Sequence, residues 1–97
     1  MNHKINLALQ VLPRAEGIDS YHLVDKAIEI IKASGVPYKV CPFETVMEGD
    51  YDQLMNIVKQ VQQACYEAGT ETMMTYIKIQ SAASHDVTIA DKMEKYE

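Results

Sequence analysis

Long apolar runs, a basic stripe, glycine-rich loops and metal-spaced cysteines are all missing from this chain. No apolar stretch approaches the ~18 residues that cross a bilayer as a helix. Met1 to Lys4 leads directly into an alternating pattern, without the apolar block of a signal peptide, so a cytoplasmic location is expected. Lys and Arg number 9 against 14 Asp and Glu, for a net charge of -5. The basic residues are scattered, whereas a nucleic-acid binder gathers them on one face. An acidic balance is compatible with a cationic small molecule, although many proteins are acidic for solubility alone. Cys41 and Cys65 fall in separate predicted elements, and both read as reduced, packed thiols. His3, His22 and His85 are dispersed, with no Cys or carboxylate at ligand spacing, so no metal site is expected. No glycine-rich loop follows a strand, and no Ser or Cys stands in a nucleophile elbow. The residues for catalysis of the usual kinds are lacking, and the chain is not expected to be an enzyme.

What is present is periodicity. The 97 residues suit one domain, spanning 1–97, with a modest core. Lys4 to Leu12 alternates, with Ile5, Leu7, Leu9 and Val11 on one face and Asn6, Ala8, Gln10 and Leu12 on the other. That is a strand, which Pro13 is expected to end. Val24, Ala27, Ile28 and Ile31, widened by Leu23 and Ile30, form a helical stripe from Ser20 to Ser34. Asp19 or Ser20 can cap its start, and Gly35 follows its end. Tyr38 to Phe43 and Thr45 to Glu48 read as two short strands, with a bend at Phe43 and Glu44 and with Pro42 at an edge, a bulge or a strand end. Asp50 is expected to cap a helix from Tyr51 to Ala68, whose stripe is Leu54, Val58, Val61, Cys65 and Ala68. Thr72 to Gln80 is a fourth strand. A short last helix, started near Asp86 or Thr88, would turn Ile89, Met93 and Tyr96 to one side.

This order gives an α+β, ferredoxin-like βαββαβ layer: an antiparallel sheet with two helices on one face and a short C-terminal helix. The uncovered sheet face should then display Ala8, Gln10, Leu12, Met74 and Tyr76, with Cys41 and Phe43 as further candidates. So apolar a face is unusual for a monomer. A homodimer formed by stacking these faces would bury it, and doubling would give a homotetramer. The alternative is that the C-terminal helix covers the face within one chain.

Polar groups in apolar surroundings are the candidates for binding. Gln10 lies between Ala8 and Leu12, Tyr38 opens the second strand, and Thr45 and Glu48 flank the third. Tyr76 and Lys78 share the Gln10 face. Each has a plainer reading: Glu48 as a solvated acid ahead of a helix, and Gln10 as a partner for a second subunit.

Five segments occur in register: Leu7 to Pro13, Val24 to Lys32, Thr45-Val46-Met47-Glu48-Gly49-Asp50, Thr75 to Ile79, and Thr88 to Lys92. Together they resemble the YkoF-like thiamine-binding family over nearly the whole chain. The Thr-x-x-Glu-Gly-Asp step is the most specific piece. The resemblance implies a ferredoxin-like fold, sheet-mediated dimers that often pair into tetramers, no established catalysis and no cofactor. The implied ligand is thiamine or its hydroxymethylpyrimidine portion. Gln10 and Glu48 would then pair with the aminopyrimidine edge, Thr45 would add a hydroxyl, and Tyr38 or Tyr76 would stack on the ring. Relatives often carry smaller residues where this chain has Cys41-Pro42-Phe43-Glu44, a change that bears on pocket size and charge. Two other classes remain open: a regulatory protein contacting a transporter or enzyme, and an isomerase- or oxygenase-like enzyme, for which a strand-borne general base is wanting.

Overall fold

The computed structural model describes residues 2–96; Met1, where the leader reading begins, and Glu97 lie outside them. The elements are β1 (Ile5–Arg14), α1 (Ser20–Ala33), β2 (Tyr38–Val40), β3 (Thr45–Gly49), α2 (Tyr51–Glu67), β4 (Thr72–Gln80) and α3 (Ile89–Met93), with a 3-10 turn at Glu94–Tyr96. One antiparallel sheet runs β2-β3-β1-β4, the ferredoxin-like order.

Alternation in β1 sets the layers. Ile5, Leu7 and Leu9 are almost wholly buried, and they meet Met47 of β3, Ala27 and Ile31 of α1, and Leu54, Ile57, Val58, Val61 and Cys65 of α2. Ile57 joins the expected α2 stripe and widens it. Burial also holds the Cys65 thiol above its ordinary pKa, as suits a packing residue, and both cysteines are free thiols. Asp19 caps α1 by accepting from Tyr21 N at 3.0 Å. Gly35, at φ +80°, takes the left-handed turn after that helix.

Four local expectations are corrected. Pro13 does not end β1, which continues to Arg14. In an antiparallel strand the N–H and C=O of one residue face the same neighbour, and successive residues alternate. The Arg14 carbonyl accepts from Glu71 N on the β4 side at 2.8 Å. Pro13 therefore faces the other edge, where β3 has already ended at the Leu9–Thr45 pair, so its missing N–H costs no ladder bond. Second, β2 stops at Val40, because Cys41 N turns to the Glu44 carbonyl at 2.8 Å and closes a tight hairpin tip over Cys41 to Glu44. Third, Asp50 occupies the N-cap of α2, but its side chain makes no capping bond, and only its carbonyl engages, accepting from Leu54 N at 2.9 Å. Fourth, Ile89 and Met93 are half-buried, whereas Tyr96 is exposed because the chain has tightened into the 3-10 turn.

After β4 the chain returns as a strap across one end of the sheet. Asp86 Oδ1 accepts from Lys4 N at 2.8 Å, and Lys4 O accepts from Val87 N at 2.9 Å. Asn6 Nδ2 donates to Val87 O at 3.0 Å, and Glu48 Oε1 accepts from Ile89 N at 2.7 Å. Asn6 and Glu48 are cross-strand partners on the face away from α1 and α2, so α3 lies on that face. It covers one end alone. Leu12, Met74 and Tyr76 stay exposed at 44%, 58% and 47%, so the reading in which the C-terminal helix covers the whole face fails.

Candidate functional site

The hollow that matters opens where β1 outruns β3. Beyond the Leu9–Thr45 pair, β1 has a free edge on that side, and the hairpin tip of Cys41, Pro42, Phe43 and Glu44 stands off from it. α1 roofs the gap. The result is an inner cavity of about 90 Å³ that continues into a surface groove of about 550 Å³. Gln10, Val11, Val24, Pro42 and Phe43 border both, so the two form one cleft.

Its chemistry is that of an apolar slot with few polar groups. Leu9, Val11, Val24, Ala27, Ile28 and Ile31 make the inner walls. Thr45 and Gln10 are the uncharged polar residues of the inner cavity, and Glu44 is its one acid. Thr45 sits on the helix side of β3, 7% exposed, opposite Leu9. Gln10 is half-buried at the rim, opposite Tyr76. Arg14, Ser20 and Tyr21 stand at the outer end of the groove. Phe43 is 82% exposed, which leaves an aromatic ring at the mouth.

Glu44 is held from the opposite side. Its carboxylate meets Lys78 Nζ at 3.2 and 3.3 Å through its two oxygens. Lys78 is the β4 partner of Ala8, and the alanine's small side chain lets the ion pair pass over β1. The hairpin tip is thereby tethered to the far strand. The pair is solvent-exposed on the lysine side, so it contributes little to stability. Its importance is that it engages the Glu44 carboxylate and ties the tip to β4.

The five sequence candidates do not converge. Thr45 and Gln10 both border the cleft, Thr45 from the helix side of β3 and Gln10 from the free edge of β1, where strand alternation turns its side chain toward the Tyr76 face. Glu48 lies on the opposite sheet face and is occupied by Ile89 N, so it anchors α3. Tyr76 is on that face too, with its hydroxyl 3.8 Å from Met74 Sδ. Tyr38 pairs with Met47 on the outer strand β2 and does not border the cleft. The positions missed as site residues are Val24, Ile28, Phe43 and Glu44. The first two read only as core stripe. The last two were visible as a departure in the hairpin. Asn6 was also missed: it is 3% exposed, and Oδ1 has no partner although Nδ2 is bonded. An Asn in the middle of an apolar strand is the signal that was available.

The family model for thiamine-binding protein matches residues 7–97. The chain belongs to the thiamine-binding protein family. Among this family's relatives, a UPF0045 protein of Clostridium perfringens is 42% identical over 91 residues, covering 94% of this chain and 95% of the relative. A DUF77 domain of unknown function from Bacillus cereus has a solved structure with a TM-score of 0.95 and 44% identity, covering 98% of this chain and 91% of that one. A protein of Thermotoga maritima, given a tentative role in thiamine biosynthesis or salvage, superposes with a TM-score of 0.88 at 28% identity, covering 97% and 99%. The thiamine-binding family membership and the fold thus agree with the resemblance carried by the five sequence segments. No helix among the described residues is long and apolar enough to cross a membrane.

Proposed function

We propose that this chain binds thiamine or its hydroxymethylpyrimidine half in the cleft between α1, the free edge of β1 and the β2–β3 hairpin tip, as a carrier without catalysis. The observation that carries the reading is the cleft itself: an apolar slot with an amide, a hydroxyl and one acid, in a member of the thiamine-binding family. An aminopyrimidine needs an apolar sleeve for its ring faces and a donor–acceptor edge for its amino group and ring nitrogens. Val24, Ile28 and Ile31 supply the sleeve, Thr45 supplies a hydroxyl from the helix side, and Gln10 joins the edge by turning its amide round the free side of β1 from the Tyr76 face. The thiazolium cation then lies toward Phe43 and Glu44, where a ring face and a carboxylate both favour positive charge.

Size bears on the mechanism. The inner cavity, about 90 Å³, is smaller than the ~150 Å³ space that takes up a benzene ring. Ring entry therefore requires the hairpin tip to swing outward, and the remainder of the ligand occupies the 550 Å³ groove. The tether to swing is the weak Glu44–Lys78 pair, while the Cys41–Glu44 backbone bond keeps the tip intact. Glu48, Tyr38 and Tyr76 make no ligand contact in this reading. The exposed face of Leu12, Met74 and Tyr76 is the surface on which two copies stack, as a homodimer or as half of a homotetramer.

Titration calorimetry with thiamine and with hydroxymethylpyrimidine tests the proposal, on the wild type and on Val24→Phe, which fills the cleft. Binding by the wild type and its loss in Val24→Phe, with an unchanged circular dichroism spectrum, is the expected result. Equal binding by both proteins would place the ligand elsewhere.

A further inference from the structure

The outer end of the cleft carries a charge that a thiamine cation leaves unmatched. One charged residue, Arg14, borders the 550 Å³ groove, and no acid does. Ser20 and Tyr21, which open α1, stand beside it. Strand alternation places Arg14 in one row with Gln10 and Leu12, and all three border the groove from the β1 side. The Arg14 side chain is exposed. Among the described residues its guanidinium makes no ion pair and no side-chain hydrogen bond.

The acids near this corner do not enter the groove. Asp19 accepts from Tyr21 N at 3.0 Å, and Glu71 accepts from Glu16 N at 3.2 Å. Glu16 and Glu71 border a separate hollow of about 340 Å³ beside the β1–α1 connection. Arg14 and Ser20 border both spaces, so they stand between that hollow and the groove. A thiamine cation alone fits such an end poorly, because ligand and guanidinium carry like charge.

We propose that the outer groove is a phosphate subsite: the preferred ligand is the phosphate monoester of thiamine, and Arg14 is the residue that selects it. The inference rests on the cleft reading above and deepens it. With the pyrimidine beside Thr45 and the thiazolium at Phe43, the hydroxyethyl arm leads outward along the groove. From Gln10 to Arg14 the strand advances about 13 Å, at ~3.3 Å per residue, so a group esterified to that arm lies toward the guanidinium. A guanidinium donates two parallel N–H bonds to one phosphate, and the Ser20 and Tyr21 hydroxyls are further donors.

The backbone of β1 gives an anion no help at this end. Pro13 faces the free edge and has no N–H, so side chains carry the selection. The ligand's charges then follow the order of the cleft, with its cation on the Phe43 ring and its anion on Arg14. Position matters as well as charge. In hydroxymethylpyrimidine phosphate the ester is one carbon from the ring, so its charge falls among the apolar walls and Phe43, away from Arg14.

Titration calorimetry with thiamine, thiamine monophosphate, hydroxymethylpyrimidine and hydroxymethylpyrimidine phosphate tests this on wild type, Arg14→Met and Arg14→Lys. Arg14→Met removes the charge but keeps a long side chain and the backbone bond from Glu71 N to Arg14 O. A charge-assisted pair at an exposed site should let the wild type bind the monophosphate roughly five- to tenfold more tightly than thiamine. That ratio, taken within each protein so that folded fraction cancels, should fall to near unity in Arg14→Met. Arg14→Lys should be intermediate, since it keeps the charge and loses the fork. Hydroxymethylpyrimidine phosphate should bind no more tightly than hydroxymethylpyrimidine. Thiamine binding with no gain from the phosphate, or a gain that persists in Arg14→Met, overturns the subsite and leaves the cleft reading standing. A wild type that binds neither thiamine nor its monophosphate overturns both.

Discussion

Glu48 separates a structural from a ligand role most sharply. Its carboxylate accepts from Ile89 N at 2.7 Å, at the first residue of α3. A charge-assisted bond of this kind contributes about 1.5–3 kcal/mol, and an acid at a helix start adds a few tenths more. Glu48 is half-buried, so solvent screening reduces the combined worth to roughly 1–2 kcal/mol. α3 has only five residues and cannot hold itself together alone, so the loss should appear as undocking of the strap rather than as global unfolding. In Glu48→Ala the Ile89 amide should exchange about 5–30-fold faster, the factor corresponding to 1–2 kcal/mol. Amides of Leu7 and Val58, in the core, should be nearly unchanged. Hydrogen exchange read by NMR gives both numbers on one sample, and calorimetry on the same protein gives thiamine affinity. Unchanged Ile89 protection together with lost affinity would refute the assignment of Glu48 to the strap.

Three further outcomes are expected. Leu54→Ala empties a fully buried position between α2 and the sheet and should cost about 3 kcal/mol, seen as a fall in Tm of roughly 15 °C. Asp86 has its pKa lowered, chiefly by the Lys4 backbone N–H, against an opposing desolvation effect, with further lowering from the neighbouring His3 and Lys4. A lowered folded-state pKa gives stability that is present above the ordinary carboxylate range and is lost as pH falls through the folded value, so Val87 amide protection should hold at neutral pH and drop in acid. Asp86→Asn should remove that acid dependence. Lys78→Met should leave Tm within about a degree, because the pair is exposed, yet bind thiamine a few-fold more tightly as Glu44 becomes available to the cation; the affinity for uncharged hydroxymethylpyrimidine should not move.

Much of the fold was legible because period-two and helical patterns were clean. Ile5, Leu7 and Leu9 read as one face and are one face; Leu54, Val58, Val61 and Cys65 read as a stripe and are buried. Pro13 misled because a sequence does not say which way a strand residue's N–H points, and only the ladder with β4 settles that. Asp50 misled because position alone does not orient a carboxylate. The site was half legible. Thr45 and Gln10 stood out as polar residues in apolar strands, and they line the cleft. Glu48 stood out for the same reason but is claimed by a backbone N–H from a segment 41 positions away. Tyr38 and Tyr76 were eligible by ring chemistry, and the register sends them to different faces. Val24 and Ile28 were hidden because a cleft wall and a core stripe have the same pattern on a helix.

The most direct measurement is the thiamine titration of wild type beside Val24→Phe and Glu48→Gln. The account predicts about one ligand per chain for the wild type, little or none for Val24→Phe, and near-wild-type affinity for Glu48→Gln. Heat retained by Val24→Phe but lost in Glu48→Gln would contradict it, and would move the site to the face beneath α3.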